Sequence, residues 1–205
     1  MPGSPGRPAT TSSTALDRLA RAASEVLAPP VLAPLLMVIA ALAPGVTGRT
    51  VLAAVVAVGF TVVAPMAVIV VLSRRGRLSG HYVPERTERT PVYLGTLVSG
   101  GVGMVLLVLL RAPHPLFVVL GGIATGLIAV LVVTLWWKIS AHTAVAASVS
   151  VTLAGWLGGG WWLMLAVPAV VAWSRVRMRV HSRGQVIAGG VLGVAVALVW
   201  LPLLR

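Results

Sequence analysis

The chain has 205 residues, 58% of them hydrophobic and only 10% charged, with a mean hydropathy of +1.00. Soluble domains of this length do not carry so much apolar sequence, so the composition points to an all-α integral membrane protein. Sixteen basic residues against four acids give a net charge of +12. With no acid after Glu88 and no cysteine anywhere, the second half excludes a carboxylate metal cage, paired-carboxylate catalysis, thiolate zinc and a cysteine nucleophile.

Residues 1–13 are rich in Pro, Gly, Ser and Thr and are expected to form a disordered tail. Over 15–27, Leu16, Leu19, Ala23 and Val26 share one helical face, which predicts a short interfacial helix. Together these make a first region, 1–26, ahead of a membrane domain over 27–205. The apolar run 27–43 holds Pro29, Pro30 and Pro34 and predicts a short or kinked span. A clear span follows over 50–72, then the longest polar loop, 73–91. The runs 92–110 and 115–136 form an antiparallel pair joined by a turn at Arg111-Ala112-Pro113-His114.

Runs 143–157 and 161–173 flank Gly158-Gly159-Gly160, and each is short for a span of roughly 20 residues. Either they begin inside the polar segments beside them, or they form a hairpin that enters and returns. The last span is 186–204. The expected architecture is a helical bundle of about six or seven transmembrane segments.

Parity then places three polar segments on one face: 73–91, Lys138–His142 and Ser174–Gln185. Of the 16 basic residues, all but Arg49, Arg111 and Arg205 fall on that face. The positive-inside rule makes it cytoplasmic, in a multi-pass protein of the cell membrane. Arginines confined to short loops between apolar runs suit anionic headgroups and topology, and nucleic acid is not an expected partner. The bilayer is; the oligomeric state is not readable.

Ionisable groups beside hydrocarbon are costly, about 2.5–3.5 kcal/mol for a charge at mid-membrane. Two segments nevertheless place a basic residue and a histidine at the mouth of an apolar run. One is Lys138-Ile139-Ser140-Ala141-His142. The other is Ser174-Arg175, five residues, His181, three residues, Gln185. Arginine with histidine suits holding a phosphoryl group and attacking it.

These segments resemble the signatures of the type 2 phosphatidic acid phosphatase superfamily, over roughly Arg74 to the C-terminus, as a divergent member. The third signature of that family is Ser-Arg, five residues, His, three residues, Asp; Ser174, Arg175 and His181 match, and Gln185 stands at the aspartate. The second is Pro-Ser-Gly-His, of which Ser140 and His142 are kept. The first ends in Arg-Pro; Arg89-Thr90-Pro91 is a loose match, with Tyr82 at the place of its lysine.

The resemblance implies a metal-independent, membrane-embedded phosphatase without a cofactor, acting on a lipid phosphate such as phosphatidate or a prenyl diphosphate through a phosphohistidine. His181 is then the nucleophile, His142 the acid/base and Arg175 the phosphate clamp. Lys138, Ser140, Arg86 and Arg89 are further candidate phosphate ligands. Gln185, taken as one helical turn from His181, is the candidate orienting group. Two other readings stay open: a non-catalytic lipid-phosphate binder or transporter on the same bundle, and a structural membrane protein whose arginines only set topology.

Overall fold

The computed structural model describes residues 14–75 and 86–204, with side chains from 92 onward in the second stretch. Among the described residues it is all helical. The tail over 1–13 and most of the polar loop, including His81, Tyr82 and Glu85, lie outside the described residues. Among the described residues, five helical stretches are long and apolar enough to cross a membrane: Ala15–Leu42, Gly48–Arg74, Val92–Leu109, His114–Thr134 and Arg183–Leu204. The helix Ala141–Leu157 is apolar but shorter.

Local chemistry sets most boundaries. Helix α1 (Ala15–Val26) opens on a capping box in which Thr14 and Asp17 satisfy each other's backbone N–H groups. Helix α2 (Pro29–Leu42) begins with two prolines, where a missing N–H costs nothing, and tolerates Pro34 inside. Met37, Ala40 and Ala41 are fully buried, so the run that looked least like a span is the centre of the core.

The span expected over 50–72 is present as the continuous helical stretch Gly48–Arg74, with one defect inside it. Helix α3 (Gly48–Val58) passes through a π turn, Gly59–Val63, into α4 (Ala64–Arg74). Pro65 explains the π turn, because it has no N–H to return to the preceding turn. The Phe60 carbonyl freed by this defect accepts Ser99 Oγ at 2.5 Å from α5 (Arg86–Leu109). Gly103 on α5 packs so closely on Phe60 that an added Cβ would lie 2.7 Å from the Phe60 Cβ.

A Schellman turn links α5 to α6 (His114–Thr134): Arg111 adopts φ 51, Ala112 N–H reaches Leu107 O and Arg111 N–H reaches Val108 O, each at 3.0 Å. Helix α7 (Ala141–Leu157) begins inside the Lys138–His142 segment, capped by Ser140. Gly158 ends it at φ 63, ψ −150, a backbone conformation open essentially to glycine. A 3₁₀ stretch, Gly159–Ala166, then leads into α8 (Val167–Arg177), which runs into the Ser174-Arg175 pair. The short runs therefore extend into the polar segments that flank them, and the α7–α8 hairpin returns both to one end.

Helix α9 (Arg183–Trp200) completes the bundle. It lies against α7 through Gly189 and Gly193: a Cβ on Gly189 would strike the carbonyl oxygen of Ser140, and one on Gly193 that of Ala144. This is the small-residue contact that lets two helix backbones approach in a bilayer. Outward-facing Val98, Val105, Val191 and Val199 leave an apolar exterior, as a lipid-facing surface requires.

Candidate functional site

The Arg175–His181 segment is built by its backbone. Helix α8 ends in a Schellman turn with Arg179 in the left-handed region at φ 56. Arg179 N–H bonds Val176 O at 2.9 Å, and Val180 N–H bonds Arg175 O at 3.2 Å. The same Arg175 carbonyl accepts His181 N–H at 3.4 Å. Five residues between Arg and His are thus one reversing turn, which returns the imidazole to the arginine.

Ser182 then caps α9. Its Oγ accepts Gln185 N–H at 3.3 Å, and Gln185 Oε1 accepts Ser182 N–H at 3.1 Å. This corrects one expectation: His181 and Gln185 are not one helical turn apart. The helix starts at Arg183, so His181 precedes the cap, and the Gln185 oxygen serves as the second arm of the capping box.

The other segment joins this turn by two bonds. Ser140 N–H donates to Gln185 O at 3.1 Å, and Lys138 Nζ donates to Val180 O at 3.1 Å. Ser140 itself is fully buried. Its Oγ accepts Thr143 N–H at 3.3 Å and Thr143 Oγ1 at 3.0 Å. Its place is therefore that of the buried α7 cap, with its hydroxyl engaged by Thr143, where the sequence suggested a phosphate donor.

Capping aims the first turn of α7, with His142 as its second residue, at the Arg175–His181 turn. The side chains of Arg175 and His181 come close enough for their charges to act on the His142 ring. His142, Arg175 and His181 are all partly buried, and the Nδ1 of His181 and the Nε of Arg175 are enclosed by protein. Ser174 is fully buried, its Oγ bonded back to Val171 O at 2.8 Å, so it serves the helix.

Arg86 and Arg89 open α5, but their side chains lie outside the described residues. Among the described residues no group of three His, Asp or Glu is placed to hold a metal ion. Among the described residues, Lys138, Arg175, His181 and the N-terminal end of α7 thus lie about one partly enclosed place, drawn from two of the three polar segments. Such a place favours an anion with several acceptor oxygens.

Sequence reasoning missed two contributors. The first is Ser24 of α1, whose Oγ accepts Arg175 Nη1 at 2.8 Å; nothing in the sequence around Ser24 signals this. The second is the Gly189–Gly193 contact, which sets α9 against α7; its small-xxx-small spacing was readable.

The C-terminal third of the chain, residues 137–205, matches the family model described as PAP2 superfamily. That stretch contains the second and third of the signatures that resemble type 2 phosphatidic acid phosphatases, and not the loose first one at Arg89-Thr90-Pro91. No curated protein and no solved structure matches the chain.

Proposed function

We propose that the protein is a membrane-embedded phosphohydrolase that removes phosphate from a lipid phosphomonoester or diphosphate. The observation that carries this reading is the backbone bonding that brings the His142 end of α7 to the turn of Arg175 and His181: Ser140 N–H to Gln185 O, and His181 N–H to Arg175 O. The match of residues 137–205 to a phosphatase-type family supports it.

In the proposed reaction, Arg175 holds two phosphoryl oxygens through its planar fork. A ring nitrogen of His181 attacks phosphorus while the bond to the lipid oxygen breaks; Nε2 is the proposed atom because Nδ1 is enclosed. The leaving oxygen takes a proton from His142. Neutral His142 then takes a proton from water, whose oxygen attacks the phosphohistidine, releasing phosphate and restoring both rings. Lys138 adds positive charge beside the turn. A lipid substrate suits the position of the site at the end of apolar helices, with room for a tail along an apolar exterior.

The reading is tested by phosphate release from phosphatidate and from a prenyl diphosphate, with chelator present. Release that is lost in Arg175→Ala is expected; no release from either substrate contradicts it. One observation favours a second reading, a lipid-phosphate binder without turnover: the residue at the expected acid is Gln185, and its oxygen bonds Ser182. Saturable phosphatidate binding without phosphate release selects that reading.

A further inference from the structure

Arg175 is held by a residue that belongs to no signature. Its Nη1 donates to Ser24 Oγ at 2.8 Å. Ser24 is buried on the face of α1 that also buries Ala20. Two positions along α8, Arg177 grips the beginning of the same helix, with Nε 3.0 Å from Asp17 Oδ1 and Nη2 3.2 Å from Thr14 Oγ1. Helix α1 is therefore fastened near both ends to the last turn of the helix that carries Arg175. Leu16, Leu19 and Val26 stay exposed on its other side.

An arginine can grip phosphate bidentately only when the plane of its guanidinium is set, and a long side chain does not set that plane unaided. A buried hydroxyl on a capped helix can. The Asp17–Arg177 pair is about a third exposed, and such surface pairs contribute little. Its use is to register α1, whereas the bond at Ser24 reaches the site.

Resting on the reading of Arg175 as the phosphate clamp, we propose that Ser24 is a positioning residue whose hydroxyl sets the Arg175 guanidinium for the phosphoryl group. Helix α1 thereby becomes part of the site. Ser24 touches no reacting atom and acts through Arg175 alone.

The test uses the full chain in detergent, titrated calorimetrically with orthovanadate, beside kinetics of phosphate release from phosphatidate. Ser24→Ala is expected to weaken vanadate binding about three- to tenfold, part of what a hydrogen bond to a charged group carries. KM rises by a similar factor and kcat by contrast changes less than about twofold, with the thermal midpoint unchanged. Ser24→Thr, which keeps the acceptor, restores binding. Unchanged vanadate affinity in Ser24→Ala overturns the proposal, as does a loss that follows a lowered thermal midpoint and that threonine fails to restore. Failure of the underlying reading looks different. A wild type that binds vanadate but releases no phosphate refutes catalysis and leaves the positioning role measurable; a wild type that binds none overturns both.

Discussion

The backbone N–H of His181 points at the carbonyl oxygen of Arg175, 3.4 Å away, across a turn whose pivot is Arg179 in the left-handed region. The distance along the chain between Arg175 and His181 is therefore a geometric requirement of one Schellman turn. A side chain with a Cβ is strained at the pivot by roughly 1 kcal/mol, and glycine is not. Arg179→Gly is expected to raise stability by about 0.5–1 kcal/mol and to leave phosphate release intact. Arg179→Val is expected to lower both. Thermal melts beside a release assay check this, and equal melting of the glycine and valine variants contradicts it.

Gly193 tests how the two signature segments are held together. A Cβ there collides with the backbone carbonyl of Ala144, which cannot rotate aside as a side chain would. Gly193→Ala is expected to destabilise by about 1–3 kcal/mol, the usual range for overpacking. Because α9 carries the Ser182 cap and α7 carries His142, release should fall more steeply than stability. Gly100→Ala, where an added Cβ meets nothing, is the matched control. Wild-type melting and turnover in Gly193→Ala would count against the close α7–α9 contact.

Gln185→Glu separates the cap from the family pattern. A carboxylate keeps an acceptor for the Ser182 N–H and places negative charge in the first turn of α9, worth about 0.3–1 kcal/mol. Because residue 185 turns toward the cap, turnover is expected to stay within about threefold of wild type, well short of the 10²-fold that a newly engaged catalytic group brings. A gain of that size would mean that residue 185 reaches His181 after all.

Much of this arrangement was legible in the sequence. Apolar run lengths gave the long spans, the triple glycine gave the α7–α8 hairpin, and parity brought Lys138–His142 and Ser174–His181 to one end. Local rules also announced what was passed over. Ser182-Arg183-Gly184-Gln185 is a capping-box pattern that starts α9 after His181, and Pro65 marks the π turn. Ser24 is a different case. Its bond to Arg175 spans 151 positions, and a lone serine on a helix carries no pattern that names a partner. Likewise the apolar stripe of α1 was readable, but the small Ala20–Ser24 face that packs on α8 was not, because burial of small residues follows from the neighbour.

The most direct measurement is phosphate release by wild type, His142→Ala, His181→Ala and the double variant, in chelator, with intact folding shown by melting. If the two imidazoles serve one phosphate, each single variant loses roughly 10²–10⁴-fold or more, and the double variant is no slower than the slower single one. Wild-type release from His181→Ala, or losses that simply multiply, would contradict a shared site.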